Sequence, residues 1–80
     1  MRTFTLNNVT YTAKEFSFNT VCDLEDLGLS LEDMNTKPLS MVRGYIGLCI
    51  GKVRVFTGKQ IEEHMINGGT LQDIIAVMSE

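Results

Sequence analysis

The chain has 80 residues, 44% of them hydrophobic, with 7 Lys and Arg against 10 Asp and Glu, for a formal net charge of −3. That length bounds one domain with a small core, a chain of this size burying only about 60% of its unfolded surface, and the apolar content excludes intrinsic disorder. The acidic balance, with basic residues scattered from Arg2 to Lys59, speaks against bulk binding of nucleic acid, which needs clustered Lys and Arg to displace counterions.

The first twelve residues alternate Phe4, Leu6, Val9 and Tyr11 with Thr3, Thr5, Thr10 and Thr12. Such period-two patterning in β-branched and aromatic residues predicts two strands, Arg2 to Leu6 and Val9 to Ala13. Asn7-Asn8 between them suits a tight hairpin, because Asn tolerates positive φ. A lone hairpin is marginal in water, so its apolar face is expected to rest on helices.

A helix is predicted from about Asn19 to Leu27, with Asn19 as N-cap and Val21, Leu24 and Leu27 as its buried stripe. Gly28 stops it as a left-handed residue after the cap. Ser30 with Asp33 resembles a capping box for a second short turn. Lys37-Pro38 opens the central helix, Pro38 to about Ile50, with Pro at the first helical position. On a wheel of about 100° per residue its apolar side chains cover more than half the circumference, and Ser40, Arg43, Gly44, Gly47 and Gly51 fill the remainder. Each Gly costs a helix about 1 kcal/mol relative to Ala. The stripe therefore marks a close approach of another backbone, or else faces the hairpin or water.

Lys52 to Phe56, KVRVF, alternates like a strand but fits the start of a helix equally well. Thr57 with Gln60 looks like a capping box for a helix through about Asn67, with Ile61 and Met65 inward. Asn67-Gly68-Gly69 ends it. Thr70 with Asp73 caps the last helix, whose buried stripe is Leu71, Ile74, Ile75 and Met78. No C-cap precedes Ser79-Glu80, so the helix frays there or the polypeptide continues. The expected architecture is α+β: an N-terminal β-hairpin packed on a small bundle of about four helices, in a single domain spanning 1–80. No leader-like apolar segment opens the chain, and the longest apolar stretch, Tyr45 to Ile50, is far too short for a bilayer. An intracellular, soluble chain with no membrane partner is expected.

Chemistry-bearing constellations are sparse. His64 is the sole histidine, without a second at metalloprotease spacing and without the three or four ligands zinc needs. Cys22 and Cys49 are too few for a disulfide framework and fit two reduced thiols, a single bridge remaining open. Cys22 is flanked by Asp23, Glu25 and Asp26, the wrong sign of charge for an activated thiolate. The acidic group from Asp23 to Asp33 has the wrong spacing for an EF-hand; it is a solvated helix face, or second an electrostatic patch for a basic partner. Phosphate-cradling glycine loops are absent. The expectation is no enzyme, no metal and no cofactor. A binding surface remains: five methionines are adaptable apolar groups that fill cores more often than they meet partners, and Val77 and Met78 on the last helix are placed to continue into, or dock on, another chain.

The segments FTLNNVTYTAKEFSFNTVCDLEDLGLSLEDM, KPLSMVRGYIGLCIG and GKQIEEHMINGG, in that order and followed by a last amphipathic helix, resemble the small tail assembly chaperones of long-tailed bacteriophages and prophages of Gram-positive hosts. The resemblance covers nearly the whole chain. It is carried by segment order, with KVRVF departing from the family's more polar, helical pattern. It implies a non-catalytic viral protein that binds the tape measure protein, helps recruit tail tube protein and forms homo-oligomers. It also implies a chain that acts in the host bacterial cytoplasm and is absent from the mature virion. On that reading, partner contacts fall on Asp23 and Asp26 of the acidic helix, on Ser40, Gly44 and Gly47 of the central helix, and on Val77 and Met78. The competing reading is a phage-encoded acidic protein that binds and regulates a host protein.

Overall fold

In the structure, a computed structural model describing residues 2–78, the hairpin forms where the alternation places it. Strands β1 (Thr3–Leu6) and β2 (Val9–Thr12) pair antiparallel, Phe4 opposite Tyr11 and Leu6 opposite Val9. Asn7 and Asn8 take φ of 53° and 68°, the left-handed pair a two-residue hairpin turn demands. The Ala13 N–H donates to the Arg2 carbonyl at 3.0 Å, extending the ladder by one rung. Leu6 and Ala13 are buried, and the Phe4 and Tyr11 rings lie 5.6 Å apart, tilted against each other and packed on the core. The threonines face solvent.

Helix α1 runs Phe18–Asp26, and its N-cap is Ser17 rather than Asn19. The Ser17 hydroxyl accepts from the Thr20 N–H at 3.3 Å, while the buried Thr20 hydroxyl donates back to the Glu15 carbonyl at 2.8 Å. This doubly bonded entry starts the helix ahead of Asn19. It leaves Phe18 82% exposed. Of the expected stripe only Leu24 is fully buried; Val21 is half-buried and Leu27 exposed. The helix ends in a Schellman motif on Gly28 at φ 85°, with Gly28 N–H to the Glu25 carbonyl at 2.8 Å and Leu29 N–H to the Leu24 carbonyl at 3.0 Å.

One turn, α2 (Asp33–Thr36), follows; the Asp33 carboxylate accepts from the Ser30 N–H at 2.9 Å, so that half of the expected box forms and the turn begins at Asp33. Helix α3 (Pro38–Ile50) has Pro at its first position, as the sequence requires, and ends at Gly51 with φ 70°. It is the axis of the molecule: Met41, Val42, Tyr45 and Ile46 form the core with Leu6, Leu24 and Ile74. Gly44 and Gly47 are buried as well, so α3 is enclosed on nearly every side.

KVRVF resolves as the beginning of a helix. Helix α4 (Arg54–Ile66) starts after Val53, which supplies no side-chain cap. The expected box at Thr57 does not form, because Thr57 lies inside the helix, fully buried, its hydroxyl donating to the Val53 carbonyl at 2.9 Å. Packing decides here: Thr57 fills the slot left by Gly47, its Oγ1 3.1 Å from where a Cβ on Gly47 would sit. Ile61 packs on the core, but Met65 is 41% exposed and is not inward-facing as the sequence expects. The Asn7 amide donates to the Gln60 carbonyl at 3.0 Å and to its Oε1 at 2.6 Å, tying the hairpin tip to α4. Gly68 (φ 101°) closes α4 in a second Schellman motif, Gly69 N–H reaching the His64 carbonyl at 2.9 Å.

The last helix, α5 (Leu71–Ala76), carries the complete capping box read from Thr70 and Asp73. Its stripe is buried at Ile74, half-buried at Ile75 and Met78, and exposed at Leu71. Replacing Thr70 by Ala removes the acceptor for the Asp73 N–H and is expected to cost about 1 kcal/mol. Urea unfolding of the two chains side by side checks this through the shift in midpoint at unchanged slope. The expectation that the final helix runs uncapped through Ser79-Glu80 falls outside the described residues.

Candidate partner-binding surface

The residues expected to meet a partner lie in three separate places. Asp23 and Asp26 are exposed on α1 beside Glu25, a solvated acidic ridge. Val77 and Met78 are half-buried against the core, and the Val77 carbonyl accepts from the Arg2 guanidinium at 2.9 Å. Val77 thus ties the turn after α5 to Arg2, just ahead of β1, and both side chains present little free surface. Ser40, Gly44 and Gly47 fall on one stripe of α3, as the wheel requires, but the close approach there is within the chain. A Cβ on Gly44 would stand 2.5 Å from Leu29 Cδ1, and one on Gly47 3.2 Å from the Lys52 carbonyl oxygen. The stripe does not face the hairpin; Leu29, Lys52 and Thr57 crowd it from either side.

The same stripe floors a groove of about 460 Å³ between the end of α1 and the start of α4. Leu27, Leu29, Leu48 and Val53 supply its apolar walls, and Lys37, Arg43, Lys52 and Arg54 its charge; no carboxylate lines it. A second groove, of about 530 Å³, adjoins it across Ser40, Arg43 and Arg54 and adds Leu39, Val55 and Lys59, with Glu62 its only acid. Five of the seven Lys and Arg therefore border two neighbouring grooves, in a chain of net charge −3. Residue spacing left these cations scattered. They converge only because the α2–α3 junction, α3 and the α3–α4 junction meet in space.

No known protein family, curated protein or solved structure matches the chain.

Elsewhere the polar groups serve the fold. Cys22 and Cys49 are free thiols and half-buried, with no bridge between them. Cys49 Sγ accepts from the Lys14 N–H at 3.4 Å. The Tyr45 ring is fully buried, stacks on Phe16 at 5.7 Å, and donates its hydroxyl to the Lys14 carbonyl; the Arg2 guanidinium reaches that hydroxyl at 3.5 Å. Burial, reinforced by the Cys49 thiol, pushes the Tyr45 phenol above its ordinary range despite Arg2. His64 Nε2 stands 3.6 Å from the Asp73 carboxylate, and the imidazole covers Gly69 so closely that no Cβ fits there. Hydrogen bonds from Thr70, with His64 adding to them, hold the Asp73 carboxyl below the usual range. Among the described residues no three of His, Cys, Asp and Glu converge on one point, and no helix is long and apolar enough to cross a membrane.

Proposed function

We propose that the chain is a non-catalytic tail assembly chaperone of a long-tailed phage or prophage. It holds the tape measure protein before tube polymerisation, helps recruit tail tube subunits in the host cytoplasm, and does not enter the virion. Two things support this reading: the order of the sequence segments, and the large apolar side chains that the fold leaves in solvent. The second carries it. Phe18 and Ile66 are each 82% exposed, Val53 73% and Val55 68%; Val53 and Val55 line the two adjoining grooves, and exposed apolar side chains that lie together mark contact with another protein. A chaperone that shields an aggregation-prone helical client needs that property and needs no reactive group.

Co-expression with a phage tape measure protein tests the reading. The expected result is soluble tape measure protein co-purifying with the chain, where tape measure protein alone precipitates. A tape measure protein that stays equally insoluble, with none retained on the tagged chain, removes the assignment. The acidic ridge of Asp23, Glu25 and Asp26 supports a second reading, a regulator that binds a basic host protein. Binding of that kind is salt-sensitive and disappears in an Asp23→Asn/Asp26→Asn variant.

A further inference from the structure

We infer that the groove floored by Gly44 and Gly47 takes an acidic amphipathic helix of a partner protein, with apolar side chains between the Leu27 and Val53 walls and carboxylates on the Lys37, Arg43, Lys52 and Arg54 rim. The inference rests on reading the chain as a binding protein, but not on which protein it binds.

Three observations carry it. First, the lining segregates charge: four cations and no acid border this groove, although acids outnumber cations in the chain. The acids sit elsewhere, among them Asp23, Glu25 and Asp26 on α1 and Glu63 on α4. Second, the rim cations are not spent on the chain's own carboxylates. None of the four lies within ion-pair reach of a carboxylate among the described residues. The Lys52 ammonium instead rests 5.4 Å over the Phe56 ring. Arg43 Nε is buried and makes no hydrogen bond within the described residues. Third, the groove's walls are apolar and unfilled: Leu27 is 51% and Val53 73% exposed, and neither side chain gains anything from water.

The shape selects the occupant. A groove between helices with an apolar floor is the seat an amphipathic helix takes, its apolar stripe down and its polar flanks on the rim. An 18-residue helix is about 27 Å long, comparable with the molecule's 32 × 27 × 22 Å. Charge complementarity then sets the flanks as Asp and Glu and speeds encounter. Nucleic acid fits less well. No aromatic side chain lines the groove to stack a base, and the net negative charge repels a long polyanion.

Two synthetic 18-residue helical peptides with the same Leu stripe test this, one with Glu on its flanks and one with Lys, alongside a single-stranded oligo-dT of similar length. Fluorescence anisotropy with wild-type chain is expected to show the Glu peptide binding and the Lys peptide not. That binding should weaken strongly in about 1 M salt, where the Debye length falls to about 3 Å. Lys37→Glu/Lys52→Glu/Arg54→Glu, three exposed positions, should lower affinity by about tenfold or more, with an unchanged thermal midpoint. Lys37→Gln/Lys52→Gln/Arg54→Gln, with a smaller loss, serves if charge reversal disturbs the fold. Equal binding of both peptides, no binding of either, or preferential binding of oligo-dT each overturns the proposal. So does self-association of wild type that vanishes in the charge-reversed chain, since the groove's occupant is then a second copy. The tail-assembly reading fails separately: tape measure capture without Glu-peptide binding sinks the groove alone, whereas Glu-peptide binding without tape measure capture sinks the tail assignment alone.

Discussion

Tyr45→Ala is expected to lower the free energy of unfolding by about 4–6 kcal/mol, the largest loss any single side chain of this fold should show. Tyr45 is fully buried at the centre of α3, against Phe16 and beneath the hairpin's return strand. Truncating a buried aromatic to Ala costs about 3–5 kcal/mol, and the lost hydrogen bond to the Lys14 carbonyl adds about 1 kcal/mol. A domain of this length has a total stability of about 4–12 kcal/mol. One substitution therefore removes a third or more of it, and all of it at the lower end. Tyr45→Phe keeps the ring and loses only the hydroxyl's bonds, so a drop of about 1 kcal/mol is expected. Circular dichroism through a urea titration separates the three chains. The same site sets the alkaline limit. Because the folded phenol titrates above its ordinary range, its stabilisation is complete below the free tyrosine value of about 10 and is lost as pH rises from there through the folded value. Wild type should lose stability in that window more steeply than Tyr45→Phe. Identical alkaline slopes in the two proteins would mean that Tyr45 is not the group responsible.

What the sequence made legible was local. The Asn7-Asn8 turn, the Gly28 and Gly68 helix ends, Pro38 at a first helical turn and the Thr70–Asp73 box each depend on residues within a few positions of one another, so spacing alone finds them. Where two local signals competed, the sequence could not choose. Ser17 and Asn19 are both good caps, and the Thr20–Glu15 hydrogen bond settled the matter from outside the cap itself. The start of α4 was less legible still. Val53 offers no capping side chain, and Thr57, the residue with cap chemistry, is used as a buried packing element because α3 presents Gly47 to it. Helix α3 read as apolar over more than half its circumference with a bare stripe; in the structure Leu29 and Thr57 crowd that stripe, and both come from segments too far along the chain for periodicity to register.

The candidate surface follows the same logic. Asp23 and Asp26 are exposed because α1 is a simple amphipathic helix, and the wheel sees that. Val77 and Met78 are held inward by contacts that include Arg2, seventy-five positions away, a distance no pattern bridges. The cationic rim joins Lys37 at one end of α3, Arg43 in its middle and Lys52 and Arg54 past its other end. On a linear reading these four are isolated charges. Folding back at Gly51 turns them into one edge, beside exposed Leu27 and Val53. Part of the exposed apolar surface, at Leu27, Val53 and Val55, and the segregated positive charge thus meet at one location, the crossing of α3 with the start of α4.

Gly47→Leu tests that crossing, and its expected effect is on folding before any partner is present. A Cβ at position 47 would sit 3.1 Å from Thr57 Oγ1 and 3.2 Å from the Lys52 carbonyl oxygen. The second of these is backbone, fixed by the Lys52 N–H bond to the Gly47 carbonyl at 3.1 Å, so it cannot step aside as a side chain would. For Ala the crowding is offset by the gain in helix propensity of about 1 kcal/mol, and Gly47→Ala should change stability little. Leu adds three more carbons to a space already closed. Overpacking of this kind costs about 1–3 kcal/mol, and here it also prises α4 from α3 and opens the groove floor. Gly44→Ala is the matched control, because its obstruction is the end of the Leu29 side chain, half-buried and able to rotate. Urea midpoints of the isolated chain should therefore fall in the order wild type and Gly47→Ala highest and Gly47→Leu clearly lowest, with Gly44→Ala close to wild type. A Gly47→Leu chain as stable as wild type that nevertheless fails to associate with any partner would place the close approach between molecules instead of within one, and the α3–α4 packing described above would have to be abandoned.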